Sequence, residues 1–161
     1  MNSERDTNQT TVQDIECWFE IIYAIKGLSF SGHKLKKFGG KIWGITILEH
    51  LENKDIHAFI IIDDADPELI KLEIRSVLGE VPQSNSLPFY QKCLELNCSI
   101  FSGSISLNGA QIWYVQNEYL ENITFDKLAL MFANQIGTTA ELYETLANEF
   151  EMKKVGHPES T

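Results

Sequence analysis

The sequence predicts an α+β fold in the order helix-strand-strand-strand-helix-strand-strand-helix, with an antiparallel sheet packed against the helices. Three observations carry that expectation. Apolar residues recur at helical spacing near both ends of the chain and once in its second half. Between these stretches lie runs rich in β-branched and aromatic residues, alternating or continuously apolar, as strands require. An Asn108-Gly109 pair joins the last two such runs, among the strongest short-range hairpin signals. Strands segregated between helices in this way imply a sheet with helices on it.

The first helix is read over Val12–Lys26, where Val12, Ile15, Trp18, Phe19 and Ile22 share a face and Gly27 supplies a stop. Leu28–Lys41 is rich in Gly and Lys and is the one basic stretch of the chain. It reads either as a solvated connector with a short strand or as a site for an acidic partner. Ile42–Leu48 and Ile56–Ile62 are strands, separated by the turn Asn53-Lys54-Asp55. Leu69–Leu78 carries two signals. Asp66-Pro67-Glu68 resembles a helix start, yet charge and apolarity alternate over Lys71–Arg75, and the alternation favours a strand. After the loop Gly79–Ser86, a second helix carries Leu87, Tyr90, Cys93 and Leu94. The hairpin follows, over Ser104–Leu107 and Gln111–Tyr119. A long last helix opens at Thr124, a good N-cap, and runs through Phe125, Leu128, Met131, Phe132, Gln135, Tyr143, Leu146 and Phe150, with a weak interruption expected at Gly137.

The 161 residues suit one domain, expected over 12–152, with a disordered lead-in over 1–11 and a flexible tail over 153–161. The lead-in has no apolar core and is not a secretory signal. No stretch reaches the ~18 uninterrupted apolar residues of a membrane span, so no membrane insertion is expected. A formal net charge of −10 repels phosphate backbones and anionic lipid; nucleic acid is a poor partner, and a protein or a basic peptide a better one. Three cysteines, Cys17, Cys93 and Cys98, with no metal spacing, fit free thiols in a reducing cytoplasm, and buried thiols are expected at Cys17 and Cys93.

The residues that carry chemistry do not assemble into a motif. His33, His50, His57 and His157 show no i+4 pair or HExxH string, so no metal site is expected. There is no phosphate-binding Gly loop and no GxSxG elbow. Asp63-Asp64-Ala65-Asp66 lacks the Gly and Glu of a calcium loop and reads as a solvated turn. No catalytic residue and no cofactor are expected, although an enzyme site that assembles only in the fold stays open as a third reading. Trp43, Phe59, Trp113, Tyr114 and Tyr119 alternate along strands, so some of these rings must point away from the helices. They mark a protein-binding patch, or else another copy or the long helix covers them.

In this order of elements the chain resembles the class I chaperones of bacterial type III secretion, the family typified by the Tir chaperone; YbjN-like bacterial proteins share that fold. Three stretches carry the resemblance: GEVPQSNSLPFYQKCLELN leading into Cys98-Ser99-Ile100-Phe101, the hairpin SISLNGAQIWYVQNEYL, and the closing helix from Thr124-Phe125-Asp126-Lys127-Leu128. The resemblance implies a cytoplasmic homodimer that holds the unfolded N-terminal segment of a secreted effector protein in apolar grooves, partly by strand addition. Carried onto this chain, it implies a dimer interface at Leu87, Tyr90, Leu94, Ile105 and Leu107. Effector-binding candidates are Trp43, Ile45, Ile47, Phe59 and Ile61, taken from strand position and residue type. The alternative is a YbjN-like regulatory or stress protein with no secretion client. The Gly/Lys-rich insert and Gly137 depart from the family pattern.

Overall fold

Thr11 starts the first helix. In the computed structural model its hydroxyl accepts from the Asp14 backbone N–H at 3.2 Å, while the Asp14 carboxylate accepts from the Thr11 N–H at 2.8 Å. This reciprocal cap satisfies donors that the first turn leaves free. Thr10, two residues before the expected domain boundary, donates to the Ile123 carbonyl at 2.7 Å. The structure describes residues 10–25, 36–37, 42–51, 54–66 and 68–152. Most of the expected lead-in, the Gly/Lys-rich stretch apart from Lys36–Lys37, and the expected tail lie outside the described residues.

The elements are α1 (Val12–Ile25), β1 (Lys36–Lys37), β2 (Ile42–Leu51), β3 (Lys54–Asp63), β4 (Lys71–Glu80), α2 (Ser86–Ser99), β5 (Ser104–Asn108), β6 (Gln111–Tyr119) and α3 (Phe125–Glu149). The strands form one sheet in the order β1-β2-β3-β4-β6-β5, each pair antiparallel. The fold is α+β, with the sheet packed against helices. The alternation over Lys71–Arg75 does mark a strand. The competing Asp66 signal belongs to the preceding turn, where the Asp66 carboxylate accepts from the Glu68 N–H at 3.0 Å.

All three helices cover one face. Ile15, Phe19 and Ile22 of α1 meet Ile60, Ile62, Leu72 and Ile74 of the sheet and Leu128, Met131, Phe132 and Ile136 of α3. Phe89 and Cys93 of α2 meet Leu78, Ile105, Ile112 and Tyr114, with Leu142 and Leu146 of α3 closing the second cluster. The 25-residue α3 therefore spans both cores. It runs without a break through Gly137, contrary to the interruption expected there; a glycine weakens a helix by roughly 1 kcal/mol but keeps its hydrogen bonds.

Between the two clusters the contact is polar. Gln135 is buried; its amide oxygen accepts from Gln116 at 2.8 Å, and its amide nitrogen donates to Ser76 at 2.9 Å and to the Tyr114 carbonyl at 3.1 Å. Gln116 also donates to the Met131 carbonyl at 3.0 Å. This network fixes the height of α3 over β4 and β6, because a shift of either element would strand several buried polar groups.

Candidate partner-binding surface

Since Ile60, Ile62, Leu72, Ile74, Ile112 and Tyr114 face the helices, their odd-even neighbours in β3, β4 and β6 face the other way. That second face carries Phe59 and Ile61, then Glu73, Arg75 and Val77, then Trp113 and Val115. No described helix contributes to it. Trp113 lies at its centre and is nonetheless only 8% exposed. Phe59 sits with its ring centroid 5.9 Å away, and the Arg75 guanidinium lies 5.0 Å from the indole centroid. A second cation sits on a second ring, Lys71 over the directly opposed Tyr119 at 5.3 Å. Ile42, exposed, pairs in register with Ile61 and extends the face onto β2.

Among the described residues, the buried Arg75 Nε–H and Trp113 Nε1–H on this face have no acceptor. Among the described residues, Arg75 makes an ion-pair contact with Glu73 at 3.5 Å, and both side chains are about one-third exposed. Such a pair contributes little.

At the β5 edge of the sheet the outward main-chain groups of Ile105 are already engaged. The β5–β6 loop is the two-residue turn Gly109–Ala110, with φ 62° at Gly109, the positive value that a type II′ turn needs at its first central position. The closing pair Asn108–Gln111 of such a turn is hydrogen-bonded, so alternation points the main-chain groups of Ile105 and Leu107 outward. Asn97 fills the Ile105 position. Its carboxamide accepts from the Ile105 N–H at 2.6 Å and donates to the Ile105 carbonyl at 3.1 Å, as a neighbouring strand would. At the opposite edge β1 has two residues, both lysine, and short charged edge strands resist pairing. The strand addition implied by the resemblance thus finds no open edge at Ile105. Just before β5, Gly103 sits at φ 82°, and a Cβ there would lie 2.4 Å from the Val115 carbonyl oxygen. Only glycine lets β5 approach β6 at this point.

The five effector-binding candidates fall into two sets by strand register. Directly opposed residues in an antiparallel pair share a face. Trp43, Ile45 and Ile47 pair with Ile60, Ala58 and Ile56, whereas Phe59 and Ile61 pair with Gly44 and Ile42. Phe59 and Ile61 belong to the open face. For Trp43, Ile45 and Ile47 the strand and register are described, and their side chains lie outside the described residues. Arg75, Val77 and Val115 were not among the candidates. Their common signal in the sequence is an odd-numbered position in an alternating strand, and only the strand register brings them beside Phe59.

Of the expected dimer residues, Leu87 and Leu94 are 67% and 66% exposed, and Tyr90 and Leu107 are exposed as well. Leu87 and Leu94 lie on the side of α2 opposite Phe89 and Cys93, so the helix is apolar on two sides. Ile105, by contrast, is 8% exposed and belongs to the protomer core cluster with Tyr114 and Phe89. Phe101, in the turn after α2, is fully exposed and was not anticipated. Cys93 is buried, and burial pushes its thiol up to about 11; Cys17, expected inside, is exposed because it lies across the helix from Ile15 and Phe19.

Among the described residues, no group of three His, Cys, Asp or Glu side chains gathers as a metal site would require. No described helix is long and apolar enough to cross a membrane. Two surface clefts, of about 290 and 350 Å³, lie beside Thr10–Val12 with Tyr119–Glu121 and between the α2–β5 turn and α3.

The chain shares its fold with YbjN of E. coli. That solved structure, described as a candidate transcription regulator, superposes with a TM-score of 0.53 at 12% sequence identity, over 87% of this chain and 94% of YbjN. No family model and no curated protein matches the sequence. At that identity the YbjN likeness concerns the path of the backbone and carries no side chain of the open face with it.

Proposed function

We propose that the chain is a non-enzymatic binding protein that holds an extended segment of another protein on its open sheet face. At the finer level we read it as a cytoplasmic chaperone that keeps the N-terminal segment of a secreted effector soluble, as in class I type III secretion. The observation that carries this reading is the Phe59–Arg75–Trp113 cluster, aromatic rings and a guanidinium gathered on the face that the described helices leave alone. Aromatic and arginine side chains dominate the energetics of protein contacts. An unfolded segment laid along such a face loses conformational entropy, and the apolar area it buries must offset that loss. No nucleotide enters this scheme. The net charge of −10 favours a segment that is neutral or basic overall. Because the β5 edge is occupied by Asn97, docking by face takes precedence over docking by edge.

A second reading, a YbjN-like regulatory protein with no secretion client, draws support from the shared fold. One experiment separates them. Tagged wild type and Phe59→Ser are used to capture partners from cells expressing a secretion system, with mass spectrometry of what is retained. The chaperone reading expects one stoichiometric partner, held through its N-terminal segment and lost with Phe59→Ser. Retention of no secreted protein, or the same set by both forms, overturns it.

A further inference from the structure

Both buried donors that lack an acceptor among the described residues, Arg75 Nε–H and Trp113 Nε1–H, lie on the same open face, and the Arg75 guanidinium sits 5.0 Å from the Trp113 ring centroid. A buried donor without an acceptor is destabilising, so two in contact call for a common explanation. Trp113 is more than nine-tenths buried, and its indole is held by Phe59 on one flank and Arg75 on another. The guanidinium is a fixed cation with a planar fork of donors, and Glu73 engages it through a single 3.5 Å contact at NH1. From this arrangement we infer that the Arg75 guanidinium, backed by the Trp113 ring, is an anchor for one carboxylate, an Asp or Glu side chain within an otherwise apolar segment of the docked partner. A carboxylate has two oxygens and pairs in parallel with two N–H groups of a guanidinium, here about one-third exposed. The surrounding Phe59, Ile61, Val77 and Val115 favour apolar residues on either side of it. The protein's overall negative charge limits the match to a single acid rather than an acidic run.

The inference rests on the proposed face-docking function and specifies the chemistry of its site. It is tested by adding acetyl-Leu-Glu-Leu-amide, and separately acetyl-Leu-Gln-Leu-amide, to 15N-labelled full-length protein and following the Trp113 indole N–H resonance, assigned from Trp113→Phe. The Glu peptide is expected to shift that resonance saturably, with affinity at least about tenfold above the Gln peptide. Arg75→Gln is expected to abolish the preference, and Arg75→Lys to restore little of it, since lysine lacks the fork. Equal shifts by both peptides overturn the carboxylate anchor while leaving face docking in place. No shift by either peptide overturns the anchor as well, and the capture experiment then judges face docking by itself. The peptide comparison on wild type stands even if a variant fails to fold.

Discussion

Gln135 shows how one residue can be legible as an anomaly and illegible as a role. It falls in the apolar row of α3, between Phe132 and the Thr139–Ala140 turn, where a hydrophobe would be the default. Its burial is tolerated because its amide oxygen and nitrogen both find partners on two strands, Ser76 and Tyr114 among them, which no local pattern reveals. Gln135→Leu keeps the volume and removes the network, leaving the Ser76 hydroxyl and the Tyr114 carbonyl without that partner. The expected cost is about 1–3 kcal/mol, read as a lower urea midpoint at unchanged slope. Adding Ser76→Ala to Gln135→Leu should cost less than the sum of the two single changes, because the second deletion removes a group the first had orphaned. Strict additivity would mean that the two residues do not act as a network. Cys17 and Ile105 teach the complementary point. A residue's type suggests burial, but which side of a helix or strand turns inward is set by what packs there.

At the scale of elements, most of the architecture was legible. Period alone gave α1 and α3, β-branched runs gave β2 and β3, and the Asn-Gly pair gave the β5–β6 hairpin. Even the doubtful fourth strand was decided by alternation. What could not be read was register. In β2 and β3 opposed residues pair odd with even, Trp43 with Ile60 and Gly44 with Phe59, so odd positions in the two strands are not register partners. That relation depends on the turn between the strands and on the bulge between Ile47 and Leu51, and a shift of one residue would reverse it. The role of Asn97 was equally hidden, since it acts through a contact eight residues along the chain. Asn97→Ala should expose the outward N–H and C=O of Ile105 at the edge. The expected results are faster hydrogen exchange at the Ile105 amide, a loss of about 1–2 kcal/mol of stability, and strand-paired oligomers that grow with concentration. Unchanged exchange at Ile105, with no oligomers by size-exclusion chromatography and light scattering, would show that the edge is closed by something other than the carboxamide.

For the molecule as a whole, the surfaces sort by what already covers them. The described helices occupy one face of the sheet, Asn97 engages the β5 edge at Ile105, and the open face is assigned above to a partner segment. The outer side of α2 remains. Leu87 and Leu94, seven residues apart, stand on nearly the same line of that helix, with exposed Cys98 one turn further on. A surface helix with apolar residues on both its inner and outer sides is unusual for a monomer and common at a subunit contact. A two-fold dimer would bring this stripe against its own copy, so one substitution acts twice. Leu94→Asp is therefore expected to halve the mass measured by sedimentation, because it places two carboxylates in an apolar contact. Protomer stability should barely change, since Leu94 takes no part in either core. Ile105→Ala is the matching control with the opposite signature: a loss of about 2–5 kcal/mol in protomer stability and no change in the folded protein's oligomeric mass. If Leu94→Asp stays dimeric, or if wild type is already monomeric at tens of micromolar, the α2 stripe is not the dimer contact. Its exposed leucines would then belong with the open sheet face as surface for the partner.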